Sequence, residues 1–379
     1  MAERVVTPVY AIATNIVSAL GMNTAAHWNA VTAGRVGVKL HEDESLSASP
    51  FYASKLDPSQ WQLVQSQTQT KDPLSPFEQL AIYSAKQALD NCDIDLDNTV
   101  LILSTTKGNI EWLGQVDDER LSLYTSADII SRQLGLITKP VVVSHACISG
   151  VVALQYGMRL LQGGKYKYAI VVGCDRFSRF VLSGFQSFQA IADEPCKPFD
   201  AERKGINLGE AAATIILSID NENQPLARLA AGATSNDANH ISGPSRTGEE
   251  LAIAINRSLE EAGISASAIG MVSAHGTATL YNDEMEAKAF GLSGVAHAGV
   301  HSFKGYVGHT LGAAGILESA MIIEALQHQQ LIPSPGFESL GVSQELHVTT
   351  QTTPTSLNYV LKTASGFGGC NATAVWAKV

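Results

Sequence analysis

An apolar run that changes into a helical pattern marks the middle of the chain. Residues 141–143 are consecutive valines, which predict a buried strand. From Ile148 to about Leu161 the apolar residues recur mostly at helical spacings, which predict a helix. Cys147 therefore lies at a strand-to-helix junction, where free amides and the helix dipole can stabilise a thiolate and lower its pKa. A lone cysteine, however, is more often a small buried apolar residue.

The last third of the chain repeats this order of strand, loop and helix. Residues 299–302 predict a strand, a glycine-bearing loop follows, and residues 311–327 predict a helix. After the central helix, residues 168–173 predict another strand, which gives the order of a parallel crossover. Two such units indicate a duplicated α/β fold with layered sheets and helices. The polar segment 41–76 is predicted to be a long surface excursion.

Composition narrows the class of protein. The chain has 379 residues, of which 45% are hydrophobic and 16% charged, as in a compact globular enzyme. The net charge of -11 argues against a general nucleic-acid or anionic membrane surface. The odd number of cysteines, five, without a CxxC pair indicates a reducing compartment. We expect a cytoplasmic protein, because neither a signal-peptide pattern nor an apolar run of about 20 residues is present.

Three later segments carry polar groups at the ends of apolar runs, where parallel-sheet enzymes commonly place their chemistry. They are residues 274–279 (AHGTAT), 304–309 (KGYVGH) and 366–369 (GFGG). Each is weak evidence alone. A single histidine is more often structural than catalytic, and a glycine cluster most often marks a tight turn.

Together these features resemble the β-ketoacyl-acyl-carrier-protein synthases, the elongating Cys-His-His condensing enzymes of the thiolase superfamily. The resemblance rests on the Cys147 junction, on AHGTAT followed by Asn282 and Asp283, on KGYVGHTLGAAG with Glu318 in its helix, and on GFGG. The order and spacing make it specific, and it covers nearly the whole chain. It implies a thiolase-like α/β fold in which two βαβαβαββ halves, residues 1–225 and 226–379, form a five-layered αβαβα architecture.

The resemblance also implies a reaction. Cys147 would accept an acyl group from a carrier thioester, and His275 and His309 would promote decarboxylation of a malonyl thioester and hold its carbonyl oxygen. The resulting decarboxylative Claisen condensation extends the acyl chain by two carbons. Lys304 matches the family lysine that orders the histidine region, and Glu318 matches the acid of that hydrogen-bond network.

Other residues match the family's binding positions. The amides of Cys147 and Phe367 would form the oxyanion hole, and the Phe367 ring matches the gate of the acyl pocket. Thr277 and Thr279 match the threonines that bind the pantetheine arm. Neither a metal nor a dissociable organic cofactor is expected, because the carrier supplies the pantetheine.

The implied partner is an acyl carrier protein. Carriers are acidic, so their docking surface should be basic. Lys71 is the basic residue that precedes the helix predicted from residue 77, and Arg203 and Lys204 are further candidates. Lys165 and Lys167 are weaker candidates for carrier docking. A homodimer is expected, and a heterodimer with a related subunit is an alternative.

Three features depart from the family pattern. His145 stands where a small or hydroxylated residue is usual, and it either approaches the site or, as we favour, lies at a subunit contact. Gly305 replaces a common serine. The segment between Ser104 and Ser131 is shorter than in the fatty-acid elongation enzymes.

The same residues bear on three alternative functions. A thiolase would use a second cysteine as its base, and Cys370 lies near that place, but thiolases lack the second histidine of KGYVGH. His309 argues against the coenzyme-A-primed initiating branch, which pairs its cysteine with histidine and asparagine. A non-catalytic chain-length partner would have lost the nucleophile, which Cys147 retains. The pathway stays open among fatty-acid, aryl-polyene and polyketide-type elongation.

Overall fold

The computed structural model describes residues 7–221, 224–237 and 243–379. Its helices are α1 (Thr24–Thr32), α2 (Pro58–Gln67), α3 (Pro76–Leu89), α4 (Asp118–Leu121), α5 (Leu123–Gln133), α6 (Ser149–Gln162), α7 (Arg179–Ser187), α8 (Glu249–Ala262), α9 (Leu280–Leu292), α10 (Lys304–Val307) and α11 (Ala314–His328). Its strands are β1 (Val9–Val17), β2 (Lys39–His41), β3 (Phe51–Ser54), β4 (Thr99–Ser104), β5 (Val141–Val143), β6 (Tyr168–Asp175), β7 (Leu208–Gly209), β8 (Ala211–Ser218), β9 (Ala227–Asn236), β10 (Ile269–Ser273), β11 (Gly299–His301), β12 (Gln330–Leu331), β13 (His347–Val348), β14 (Thr353–Pro354), β15 (Tyr359–Gly366) and β16 (Cys370–Ala377).

The strand order repeats between the two halves of the chain. In the described residues the largest sheet has eleven strands in the order β13-β11-β10-β15-β16-β9-β1-β8-β6-β4-β5. When β1, β4, β5, β6 and β8 are numbered one to five, and β9, β10, β11, β15 and β16 likewise, both halves have the order 3-2-4-5-1. The parallel and antiparallel pairings also correspond. This repetition confirms the predicted duplicated α/β fold.

Helices separate and cover the two halves of the sheet. At the centre, α6 packs against α11, and both helices contact strands of both halves. On one outer side α3 and α5 pack against the first half, and on the other α8 and α9 cover the second. The succession is helix, sheet, helix, sheet, helix, which is the five-layered arrangement expected from the resemblance.

Strand β6 shows why the sequence forms these layers. All eight of its residues are buried. Ile170 and Val172 face the outer helices, whereas Ala169 and Val171 face the central pair, as the two-residue period of a strand requires. A continuous apolar run of this kind is typical of a strand covered by helices on both faces.

The structure corrects the prediction for residues 41–76, which contain β3 and α2 rather than only a surface excursion. Helix α2 begins with a capping box formed by Asp57 and Gln60, but it buries only Val64. A helix with one buried residue shows almost no apolar stripe, so periodicity did not predict it. Among the described residues, no helix combines the length and the apolar character needed to cross a membrane.

Candidate active site

A tight turn presents Cys147 between β5 and α6. Ala146, directly before it, has a φ of 44°, which is strained for a residue with a side chain. Ser149 holds this turn, because its hydroxyl accepts from the His145 amide at 2.7 Å and donates to the Ala146 carbonyl at 2.7 Å. The turn fixes the cysteine at the beginning of the central helix.

The two predicted histidines meet Cys147 in one buried chamber. His275 follows β10, and His309 follows α10. The Cys147 sulfur and one ring nitrogen of each histidine lie within 4.8 Å of one another. The two imidazoles pack edge to face with centroids 5.3 Å apart. Three side chains that are far apart in the sequence therefore share one chamber, as predicted.

Hydrogen bonding defines the tautomer of His309. The Leu311 amide donates to Nδ1 of His309 at 3.3 Å, so Nε2 carries the ring proton of the neutral imidazole. This Nε2 is buried and has no hydrogen-bond partner among the described residues. Burial lowers the pKa of His309 well below its usual value, and the ammonium groups of Lys304 and Lys362 lower it further. His309 is therefore a neutral donor with its N–H free.

His275 is neutral for similar reasons. Burial is the main cause that lowers its pKa, and Lys304, His309 and Lys362 add to it. Its position is set by Glu286, whose two carboxylate oxygens accept from the amides of His275 at 2.8 Å and Gly276 at 2.6 Å. No motif or periodicity in the sequence predicts this role of Glu286.

A buried carboxylate joins two lysines behind the histidines. Lys304 Nζ lies 2.5 Å from Glu318 Oε1, and Lys362 Nζ lies 2.7 Å from Glu318 Oε2. Burial alone would raise the pKa of Glu318, but the two ammonium groups hold it below its usual value. Lys362 also donates to the carbonyls of Ser273 at 3.1 Å and Ala274 at 3.2 Å, directly before His275.

The family resemblance implies Lys304 and Glu318 but does not include Lys362. The available signal was a lysine within the apolar segment of β15, YVLKTASG, where a charged residue is unusual. Because this group has two cations and one anion, it lowers the pKa of both histidines electrostatically.

The strand-to-helix junction does not lower the pKa of Cys147 in this structure. Burial, and next the neighbouring Cys370, raise the pKa of the Cys147 thiol to about 11. Lys304, the Phe367 amide and Lys107 oppose this rise without overcoming it. Only 8% of the Cys147 surface is exposed, so the loss of hydration outweighs the effect of the helix terminus. The resting group at neutral pH is a thiol.

Phe367 lies beside the thiol, as the resemblance implied. Its amide hydrogen-bonds the Cys147 sulfur. A Cβ at Gly366 would lie 3.1 Å from the Cys147 amide nitrogen, so the glycine allows the close approach of the two segments. The Phe367 ring packs against Phe185 and Phe188, with centroids 5.7 and 5.2 Å apart.

A cavity of about 370 Å³ connects this chamber to the surface. Its wall includes the reactive trio, the Phe367 loop and the predicted pantetheine threonines, whose hydroxyls lie 2.8 Å apart: Cys147, His275, His309, Phe367, Thr277 and Thr279. Cys370 is buried outside this wall and donates to the Phe367 carbonyl at 3.4 Å. This placement agrees with Cys370 as a small buried residue rather than a thiolase base.

The predicted docking residues do not form a basic surface. Arg203 is buried, and its guanidinium donates to the carbonyls of Asp200 and Gly341, so it does not present its charge at the surface. Lys204 is exposed at the cavity rim and pairs with two carboxylates, Asp193 at 3.6 Å and Glu194 at 3.3 Å. The exposed side chains of Lys71, Lys165 and Lys167 lie outside the cavity wall.

Two departures from the family pattern have structural explanations. His145 is exposed and outside the cavity wall, so it does not approach the site within this chain. At Gly305, a Cβ would lie 2.6 Å from Cγ of Pro335, so the proline occupies the space of a larger side chain.

The same trio is spaced closely enough to hold a metal ion, and no second cluster of this kind occurs in the part of the chain that the structure describes. The tautomer of His309 disfavours this use. A metal at Nε2 would require the proton to move to Nδ1, which now accepts from Leu311. The set therefore fits hydrogen-bond donation better than metal ligation.

A thiol and two neutral imidazoles at the junction of two repeated α/β halves define a thiolase-like condensing enzyme. Comparison with known families agrees. Residues 7–223 match the family model of the β-ketoacyl synthase N-terminal domain, and residues 226–338 match that of the C-terminal domain. The chain belongs to the β-ketoacyl synthase family and is a condensing acyltransferase.

Relatives resemble the chain along nearly its whole length. The ketoacyl synthase alpha subunit of the tetracenomycin polyketide synthase of Streptomyces glaucescens is 29% identical, over 94% of each chain. The 3-oxoacyl-[acyl-carrier-protein] synthase 2 of Vibrio cholerae is 25% identical, over 96% of this chain and 97% of its own. The solved ishigamide ketosynthase/chain length factor shares the fold, with a TM-score of 0.88 and 23% identity over 99% of this chain and 100% of its own.

Proposed function

We propose that this protein is an elongating β-ketoacyl-acyl-carrier-protein synthase that condenses a Cys147-bound acyl group with malonyl-acyl-carrier protein. The observation that carries the proposal is the meeting of one thiol and two imidazoles within 4.8 Å. The Vibrio relative, a 3-oxoacyl-[acyl-carrier-protein] synthase, and the Streptomyces relative, a polyketide synthase subunit, support carrier-bound substrates and fatty-acid or polyketide-type elongation. Aryl-polyene elongation uses the same chemistry.

The first step loads the enzyme. The Cys147 sulfur attacks the acyl thioester of the carrier, a new C–S bond forms, and the carrier's C–S bond breaks. The thiol proton passes to the departing carrier sulfur. Since the pKa of Cys147 is raised to about 11, the resting group is a thiol, which loses its proton in the course of loading. The amides of Cys147 and Phe367 stabilise the oxyanion of the tetrahedral intermediate.

The second step forms the carbon–carbon bond. The malonyl C–C bond breaks, carbon dioxide leaves, and negative charge builds on the thioester oxygen. The N–H groups of His275 and His309 donate to this oxygen, and their bonds strengthen as the charge develops. The carbanion attacks the acyl-cysteine, whose C–S bond then breaks. One proton taken up from water restores the Cys147 thiol.

The remaining predicted residues support these steps. The Lys304–Glu318 pair holds the histidine segments, and Thr277 and Thr279 hydrogen-bond the pantetheine arm. The reaction needs neither a metal nor a dissociable organic cofactor. Activity should therefore survive dialysis against EDTA, and a loss that zinc restores would contradict this part of the proposal.

We further propose that the protein acts as a homodimer or as a heterodimer with a related subunit. The similar solved structure, in which a ketosynthase is paired with a chain length factor, supports a heterodimer. The competing function, that of a non-catalytic chain-length partner, predicts that Cys147 takes up no acyl group. The retained thiol and both histidines favour the catalytic role.

The proposal is tested by incubation with a panel of acyl carrier proteins, followed by mass measurement of the Cys147 peptide. The wild-type peptide should gain the acyl mass, and malonyl carrier should then release carbon dioxide. His275→Ala and His309→Ala should reduce condensation by about 100-fold or more but spare loading. Equal loss of both steps would contradict the assigned histidine roles, and an unlabelled wild-type peptide would contradict the synthase.

A further inference from the structure

Large apolar side chains surround the entrance of the cavity. Leu280 and Tyr281 are 60% and 78% exposed, and Phe188 is 56% exposed. All three line the cavity, and we call them the apolar rim. Single exposed apolar residues are ordinary, but a group of them at the entrance of a functional cavity indicates a binding surface.

The beginning of α9 has the reverse of the usual amphipathic pattern. Leu280 and Tyr281 face solvent, whereas the following Asn282 and Asp283 are buried. The inward position of Asp283 is fixed, because its carboxylate accepts from the Phe199 amide at 2.8 Å. Arg203 donates to the Leu280 carbonyl at 3.3 Å and so ties the same segment to the protein. These contacts hold the apolar pair outward.

The cations near this entrance are mostly engaged. Arg203 is buried, and Lys204 pairs with Asp193 and Glu194. Lys288 pairs with Glu284 at 3.2 Å. Of these cations, two exposed arginines have no carboxylate partner among the described residues: Arg246, two residues beyond the cavity-lining Pro244, and Arg179, which begins the helix whose Phe185 lines the cavity. The entrance therefore offers an acidic partner few free positive charges.

We propose that the acyl carrier protein docks on the apolar rim chiefly by burying apolar surface, and that ion pairs contribute little. This inference rests on the proposed function, because pantetheine that reaches Cys147 through this cavity must cross the rim. The protein that holds the pantetheine therefore covers Leu280, Tyr281 and Phe188. Salt screens charge pairs but not apolar contacts, so docking should depend weakly on ionic strength.

The test compares two acyl donors, an acyl carrier protein and a free acyl-pantetheine, by the rate at which Cys147 is loaded. The double variant Leu280→Ser/Tyr281→Ser should raise the KM for the carrier by about tenfold or more. Its loading by acyl-pantetheine should be impaired by a clearly smaller factor, since the small donor only passes the rim whereas the carrier covers it. Leu292→Ser, an exposed leucine at the other end of α9, is the matched control and should change neither value.

An electrostatic variant and a salt series complete the test. The triple variant Arg179→Ala/Lys204→Ala/Arg246→Ala should change the carrier KM less than the rim variant does. Raising sodium chloride from 50 to 500 mM should change the wild-type KM for the carrier by less than about threefold. A larger effect of the charge variant or of salt would overturn the inference, as would an unchanged carrier KM in the rim variant.

Failure of the docking inference can be distinguished from failure of the proposed function. If the double variant does not fold, the single variants Leu280→Ser and Tyr281→Ser apply the same criterion to one rim residue at a time. If wild-type Cys147 is loaded by neither donor, the proposed function fails, and the docking inference fails with it. If both donors load wild-type Cys147 and the rim variant has an unchanged KM for the carrier, only the docking inference is contradicted.

Discussion

At the scale of single residues, the protonation state of Cys147 decides how the site can react. The sulfur has an adjacent amide and a nearby ammonium group, yet burial keeps the pKa of the thiol high, at about 11. Both histidines have lowered pKa values, so a stable thiolate–imidazolium pair is not favoured. The resting site is therefore uncharged at the sulfur and at both rings.

This state predicts the pH dependence of Cys147 alkylation by iodoacetamide. Because only the thiolate reacts, the rate should rise about tenfold per pH unit between pH 7 and 9, without a plateau. The measurement is the mass of the Cys147 peptide over time, and Cys92, the most exposed cysteine, is an internal reference. A plateau below pH 8 would show a stabilised thiolate and contradict the raised pKa.

The carboxylate between two lysines predicts an effect on stability. Glu318→Gln leaves two buried ammonium groups without their anion, so the free energy of unfolding should fall by about 3–5 kcal/mol. Glu324→Gln, on the same helix and paired with partly exposed His328, should cost about 1 kcal/mol or less. Urea unfolding at pH 7 measures both, and equal losses would contradict the importance of the buried group.

The same carboxylate contributes to the pH dependence of stability. Its folded pKa is lowered, so its contribution is present above the unfolded pKa and is lost as pH falls through the folded value. Wild type should therefore lose more stability than Glu318→Gln when the pH is lowered from 5 into the acid range.

At the scale of elements, the crossing of α6 and α11 sets the relation between the thiol and the second histidine. A Cβ at Gly150 would lie 2.9 Å from backbone atoms of Gly315, so the two helices touch through glycines. Cys147 lies just before α6, and His309 lies shortly before α11. The separation of these helices therefore controls the width of the chamber.

Gly150→Ala should force these helices apart. We expect a loss of about 1–3 kcal/mol in the free energy of unfolding together with slower acylation of Cys147. Gly157→Ala is the matched control on the same helix, because its Cβ would meet only side-chain atoms at 3.2–3.3 Å, which can shift. The interpretation fails if both alanines have the same effect on unfolding and acylation.

Some elements agree with the pattern of the sequence, whereas others could not be predicted from it. Apolar runs and helical periodicity predicted β5, α6, β6 and α11, because packing between layers imposes those patterns. Helix α9 was missed because it buries Asn282, Asp283 and Glu286 beside its apolar residues. The positions of Glu286 and Lys362 depend on contacts distant in sequence, which periodicity does not record.

At the scale of the whole molecule, one end of the large sheet carries a short and partly exposed strand. β5 pairs with β4 on one side, is the last strand in the order, and has three half-buried valines. Exposed sheet edges are usually covered or paired with another chain. This edge is where we expect a second subunit.

The purified protein should therefore have twice the chain mass of 40.2 kDa in light scattering at micromolar concentration. Pairing through β5 should protect the amides of residues 141–143 from hydrogen exchange, and this protection should decrease when dilution separates the subunits. A monomer that is unchanged by concentration would contradict a homodimer and direct attention to a related partner chain.

The repeated strand order has one more consequence. Cys147 follows the third strand of the first half, and His309 comes after the third strand of the second, so equivalent places in the two copies hold different functional groups. A gene for either copy alone would encode a nucleophile without its imidazoles, or the imidazoles without a nucleophile. Each half therefore supplies functional groups that the other half lacks. Because both halves are in one polypeptide, the thiol and the two imidazoles are always present in a fixed ratio.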